Sequence, residues 1–159
     1  MSVLPGEALI CHISPIKKTQ VQPAGVDLTV GEIYVFNEGG FLGVGKVDIP
    51  EYSKVKCENG VFKLSRGAYL VRFNEVVEIP EDCIAIFLPR SSLLRMGATI
   101  ASALWDPGYR GRGVGLLLVF NEYGIEIEKN ARIAQIFYIR MEKKPSKTYS
   151  GRYQLEGLE

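Results

Sequence analysis

Short runs in which apolar and polar residues alternate recur along this chain, each bounded by glycine or proline, and no long helical period competes with them. In "GAYLVRFNEVVEIP", Tyr69, Val71 and Phe73 stand against Leu70, Arg72 and Asn74, the period of a half-buried strand. "EDCIAIFLP" puts Ile84, Ile86 and Leu88 on one face. "ARIAQIFYIRM" puts Ile133, Gln135, Phe137 and Ile139 on one side and Ala134, Ile136, Tyr138 and Arg140 on the other. With 17 glycines and 8 prolines between such runs, the chain is expected to form an all-β barrel or sandwich. "GLLLVF", from Gly115 to Phe120, is apolar on both faces, so one face is expected against a second sheet and the other against a partner subunit. The one helical candidate is "SSLLRMG", with Ser91 or Ser92 as N-cap, Leu93 and Leu94 toward the core, and Gly97 as its end.

Composition narrows the function classes. A length of 159 residues suits one domain with a real core, and a hydrophobic fraction of 47% with 23% charged residues is ordinary for a globular protein. Nineteen Lys and Arg against 18 Asp and Glu leave a net charge of +1, so neither a nucleic-acid nor a membrane partner is expected. Cys11, Cys57 and Cys83 form no CxxC pair and read as thiols of a reducing compartment. A lone histidine, His12, removes most His-dependent mechanisms. No apolar run approaches the ~18 residues of a membrane helix, and the N-terminus lacks a signal-peptide pattern, so a cytoplasmic location is expected. Apolar periodicity fades in "KKPSKTYSGRYQLEGLE", which divides the chain into a β-rich domain, 1–143, and a mobile tail, 144–159. "GFLGVGKV" is a near miss for a phosphate loop, because Val47 takes the place of the magnesium-binding hydroxyl; it reads as a surface hairpin.

The chemistry concentrates in "LPRSSLLRMGATIASALWDPGYRGRG". Arg90 brings a guanidinium, and Ser91 and Ser92 bring hydroxyls at a helix start, the donors a phosphate needs. In "WDPGY", Pro107 and Gly108 force a tight turn that fixes Asp106 and Tyr109. Asp106 is the only acidic residue between Asp82 and Glu122, and a lone carboxylate beside a polyphosphate cradle can align and deprotonate a water.

Together these segments resemble the dUTPase/dCTP deaminase superfamily. "QPAGVDLTVG" is similar to its first motif, "PRSSLLRMG" to its second, "DPGYRG" to its third and "ARIAQIFYI" to its fourth. The resemblance implies a jelly-roll-like (dUTPase-like β-clip) barrel with one short helix, assembled as a homotrimer with active sites at subunit interfaces. By position, Asp106 would activate the water, Tyr109 would pack on the deoxyribose and exclude a 2′-hydroxyl, and Arg90, Ser91, Ser92 and Gln135 would handle phosphates. Asp27 would steady a Mg2+–triphosphate group through water, and backbone groups of Ser102, Ala103 and Leu104 would read uracil. Tyr149, Arg152 and Gln154 resemble residues that fold over the triphosphate, although Glu156 stands where the deaminase branch often has a second glutamine.

Arg95 in "RSSLLRMG" and "GRYQ" in the tail are closer to the deaminases. Deamination there depends on a glutamate in the strand after the DPG turn, three residues before an Asn. Counting back from Asn121 lands on Leu118, and no acid lies anywhere from Tyr109 to Asn121. The expected reaction is therefore dUTP hydrolysis to dUMP and pyrophosphate. A dCTP deaminase or bifunctional dCTP deaminase/dUTPase, a non-catalytic nucleotide-binding trimer, and a plain jelly-roll interaction protein are the alternatives.

Overall fold

The computed structural model describes residues 1–158. Six principal strands build it: β1 (Gly25–Phe36), β2 (Gly67–Phe73), β3 (Cys83–Pro89), β4 (Ala98–Ala101), β5 (Val114–Val119) and β6 (Arg132–Arg140), with helix α1 (Ser91–Arg95) after β3. β1 belongs to two antiparallel layers. Its first half pairs with β6, which pairs with β3; its second half pairs with β2, which leads through β5 to β4. Shifts of register between Arg132 and Ala134, and between Arg72 and Phe73, bend the ladders where β1 passes between the layers. At that crossing a Cβ on Gly31 would stand 2.8 Å from Asn74 Oδ1, so glycine admits the close approach. This is the all-β, jelly-roll-like architecture expected from the sequence.

The core lies between the layers and is joined by aromatic edges. Phe73 of β2 meets Phe87 of β3 at 5.1 Å, and Phe87 meets Trp105 at 6.0 Å, both edge-on. Such pairs add about 0.5–1.5 kcal/mol each beyond area burial. They also decide which side of β3 turns inward. Cys83, Ala85 and Phe87 are buried, whereas Leu88 is 57% exposed and Ile84 and Ile86 are half-buried. The isoleucine face singled out by the sequence pattern thus looks outward, because the larger ring on the other face fills the space against Phe73. On β6, Ala134, Ile136 and Tyr138 are buried. The register couples Ile84 with Ile139, Ile86 with Phe137 and Leu88 with Gln135, leaving an apolar strip on the outer surface.

β5 is likewise two-faced. Leu117 and Val119 are buried, while Leu116 and Phe120 on its other side are 36% and 60% exposed. One face meets the core as expected, and the second is uncovered in the single chain.

Local signals resolve with two corrections and one addition. Arg90, not a serine, is the N-cap of α1, and the hydroxyl-bearing Ser91 and Ser92 stay exposed. Leu93 is buried but Leu94 is 53% exposed, because five residues offer the core only one apolar position. Gly97, with φ +76, ends the turn as predicted, and its carbonyl accepts the N–H groups of Phe120 and Asn121 at 2.9 and 3.0 Å. Two 3-10 segments, Gly6–His12 and Lys18–Gln20, add to the one helix expected. The near-miss phosphate loop is a hairpin closed by Gly43 N–H to the Lys46 carbonyl at 2.8 Å. Among the described residues no helix is long and apolar enough to cross a membrane.

Gly115 on β5 tests the inter-layer packing. A Cβ there would come within 2.8 Å of Phe87 Cζ and Ile100 Cδ1. Gly115→Val is expected to lower the free energy of unfolding by about 1–3 kcal/mol, measured in urea, as overpacking of a filled core does.

Candidate functional site

The "WDPGY" segment forms a type II turn. Tyr109 N–H donates to the Asp106 carbonyl at 3.1 Å, and Gly108 at the third position has φ +83. Ala85 anchors it by exchanging two backbone bonds with Trp105, at 2.8 and 2.9 Å. A cavity of about 270 Å³ lies beside the turn, lined in part by Ala103, Leu104, Trp105, Asp106 and Tyr109. Asp106 is exposed at its edge, and its carboxylate makes no hydrogen bond among the described residues. Ser102, Ala103 and Leu104 lie outside any strand, so their backbone groups are not consumed by a sheet ladder. The Ser102 hydroxyl donates to the Ala103 carbonyl at 2.6 Å and accepts Phe87 N–H at 3.3 Å, which fixes this segment over β3.

Tyr109 is held on several sides. Its ring meets Trp105 at 5.1 Å and Tyr149 at 5.7 Å, both edge-on. Its hydroxyl lies in a slot kept open by two glycines: a Cβ on Gly111 would come within 2.7 Å of the oxygen, and one on Gly113 within 3.0 Å. The hydroxyl donates to Glu156 Oε1 at 2.8 Å. Burial, reinforced by this carboxylate, raises the phenol well above its ordinary pKa. Burial also raises the Glu156 carboxyl, against the Tyr109 hydrogen bond and the more distant Arg72.

A second set of predicted residues gathers at the end of β3. Arg90, Ser91, Gln135, Leu88 and Phe137 line a groove of about 540 Å³. Gln135 on β6 stands between Leu88 on one side and Asp27 on the other, which is why second, fourth and first motifs meet here. Asp27 is fully buried, and its Oδ2 lies 3.4 Å from Arg90 Nη1 and 3.2 Å from Arg132 Nη1. Its Oδ1 is buried without a hydrogen-bond partner. Burial pushes the Asp27 carboxyl up, and the two arginines pull it back without cancelling the shift. Arg132 was not anticipated as a partner, because nothing in the spacing pairs it with a residue 105 positions earlier. Arg95 is turned along its own helix, with Nη1 donating to the Ser91 carbonyl at 3.1 Å, and Ser92 is exposed beside it.

The two sets do not meet within one chain. Ala85 holds the turn, and Arg90, just past the end of β3, lies five residues farther along the extended chain, roughly 16 Å at the rise of a strand. No residue of the Arg90 groove lines the Asp106 cavity.

The tail, expected to be mobile, is docked on the turn in this structure. Tyr149 N–H donates to the Pro107 carbonyl, Leu155 N–H to the Arg110 carbonyl, and Arg112 N–H to the Glu156 carbonyl, each at 2.8 Å. Gln154 clamps the turn from both sides, donating to the Gly108 carbonyl and accepting Arg110 N–H, both at 2.9 Å. Arg152 is exposed and joins neither half-site. The tail therefore meets the Asp106 end, with Tyr149, Tyr153 and Glu156 forming a wall of the cavity.

Comparisons with known proteins agree with the four motifs. A family model described as "dCTP deaminase-like" matches residues 7–141. A probable deoxyuridine 5′-triphosphate nucleotidohydrolase of Aeropyrum pernix is 50% identical over 138 residues, covering 87% of each chain. The deoxyuridine 5′-triphosphate nucleotidohydrolase of Methanocaldococcus jannaschii is 42% identical over 130 residues, covering 78% of this chain and 81% of its own. Among solved structures, a dCTP deaminase from Agrobacterium tumefaciens superposes with a TM-score of 0.66 at 21% identity, over 86% of this chain and 47% of that one. A dUTPase of Staphylococcus bacteriophage 80alpha superposes with 0.51 at 14% identity, over 87% and 95%; these two likenesses establish the fold. The chain belongs to the dCTP deaminase-like family, in the company of deoxyuridine triphosphate nucleotidohydrolases.

Proposed function

We propose that this protein hydrolyses dUTP to dUMP and pyrophosphate, the activity that the names of its deoxyuridine triphosphate nucleotidohydrolase relatives give for them. One observation carries the choice of chemistry. Asp106 sits free at the cavity edge, and the strand following the turn, through Asn121, holds no carboxylate that could serve as the base of a deamination. The remaining acid at the cavity, Glu156, is engaged by Tyr109.

Asp106 would accept a proton from a water and aim its oxygen at the α-phosphorus. As the new P–O bond forms, the bond to the bridging oxygen breaks and pyrophosphate leaves. Arg90, pointed by Asp27, together with Ser91 and Gln135, would bind the phosphate oxygens and the charge that develops on them. Backbone groups of Ser102–Leu104, outside any sheet ladder, would read the uracil edge, and Tyr109 would cover the deoxyribose.

Magnesium would arrive with the triphosphate. Among the described residues no cluster of three or more His, Cys, Asp or Glu side chains could cage a cation, which suits an ion held chiefly by phosphates and water. Asp27 would serve such an ion indirectly, because its buried carboxylate reaches Arg90 and Arg132 and not the groove itself, and the ion's chemistry there would be to neutralise phosphate charge.

The separation of the two half-sites supports a homotrimer in which the Asp106 cavity of one copy faces the Arg90 groove of the next. The outward strip of Ile84, Ile86, Phe137 and Ile139 runs to the edge of that groove and would be covered by such a neighbour.

Pyrophosphate release should be seen with dUTP and not with the four common deoxynucleotides, and no ammonia should be released from dCTP. Asp106→Asn should cut turnover by ~10²–10⁴ while leaving nucleotide affinity nearly intact; retention of more than a tenth of the activity excludes the assigned role. Arg90→Ala and Asp106→Asn, each nearly inactive alone, should regain activity when dissociated and reassembled together. Random assortment restores about one quarter of the sites, whereas no recovery in a verified mixed trimer places both residues in one subunit's site.

A further inference from the structure

The hydrogen bond from Tyr109 to Glu156 is absorbed by nothing in the proposed hydrolysis, yet it joins the tail to the residue that would cover the sugar. Its surroundings set it apart from a chance surface contact. Tyr109 is 6% exposed, and its hydroxyl is enclosed by Gly111, Gly113 and the Glu156 carboxylate. The tail backbone brackets the same point, with Arg112 N–H donating to the Glu156 carbonyl at 2.8 Å and Gln154 fixed to Gly108 and Arg110. A Cβ on Gly111 would also stand 3.1 Å from the Glu156 carbonyl oxygen, so a side chain there would push both the tyrosine and the tail. Glu156 Oε2 carries no hydrogen bond among the described residues, so the bond to Tyr109 is the polar tie of this side chain.

We propose that Glu156 is a positioning residue for sugar selection: by holding the Tyr109 hydroxyl, it fixes the ring against the cavity and makes exclusion of a 2′-hydroxyl depend on the docked tail. This rests on the reading of Tyr109 as the residue over the deoxyribose. A phenol ring can reject one extra oxygen only if it cannot retreat. Trp105 and Tyr149 limit the ring laterally. The hydroxyl is the far end of the lever, and Glu156 is what holds it. The placement also removes a conflict seen in the sequence. A glutamate in a segment thought to cover the triphosphate would repel it, but the Glu156 carboxylate is turned to the Tyr109 hydroxyl, on the wall that would hold the sugar.

The test compares wild type, Glu156→Ala, Glu156→Gln and Tyr109→Phe, reading kcat/KM for dUTP and for UTP, and calorimetric affinities for dUMP and UMP. Glu156→Ala should lower the dUTP:UTP ratio of kcat/KM about tenfold or more, together with the dUMP:UMP preference. Glu156→Gln keeps an acceptor for the hydroxyl and should retain most of both. Tyr109→Phe should resemble Glu156→Ala, and the double variant should add little, because the two act as one unit. Unchanged ratios in Glu156→Ala, with the fold confirmed by its unfolding transition, overturn the proposal. A wild type that releases no pyrophosphate from dUTP yet prefers dUMP overturns the hydrolase reading alone, and the binding ratios then decide the role of Glu156. A wild type that prefers neither nucleotide overturns both.

Discussion

Everything at the two half-sites is measured out along β3. Its ladder with β6 brings Leu88 beside Gln135 and leads Arg90 to the buried Asp27, while Ala85 near its start holds Trp105 and thereby the Asp106 turn. One strand therefore fixes the distance between the anion-binding groove and the water-activating carboxylate. A strand cannot be shortened or folded to bring its ends together. In the proposed assembly, the site would be completed by another copy, and the apolar outer side of the β3–β6 ladder is the surface it would cover.

The sequence made much of this legible because the motifs are local. The Asp-Pro-Gly-Tyr turn needs only a fixed φ at Pro107 and a positive φ at Gly108, and the structure holds both the turn and its 3.1 Å closing bond. Tyr69, Val71 and Phe73 follow the period-two rule and are buried. Other features depend on partners distant in the chain. The inward face of β3 is chosen by Phe87 meeting Phe73 and Trp105, which alternation cannot foresee where both faces are apolar. The pairing of Arg132 with Asp27 and the docking of the tail are decided by register and by glycine gaps at 111 and 113. Loss of apolar periodicity in the tail suggested mobility, yet hydrogen bonds to the turn's own backbone dock it, and these leave no trace in hydrophobic pattern.

The Asp27 pair illustrates how burial serves direction more than stability. A carboxylate taken fully out of water is costly, and two partly exposed guanidiniums offset that cost without lowering its pKa to the ordinary value. What the pair contributes is a fixed bearing for Arg90. An arginine on the surface with no such partner would sample many rotamers and lose entropy on binding each phosphate. Holding it beforehand moves that cost into folding.

The missing carboxylate on β5 has a structural counterpart. Leu118, at the position counted for a deaminase base, pairs with Ala68 on one side and Thr99 on the other, and it is half-buried on the same outer side as the exposed Leu116. An acid there would put a charge beside Ala68 and Leu116. A leucine instead adds to the apolar side left uncovered in the single chain, and since it is already half-buried, covering the rest would be worth about half of the ~1.5–3 kcal/mol of full burial. One residue thus withholds the proton acceptor that ring chemistry would need and extends the apolar side of β5 that the single chain leaves uncovered.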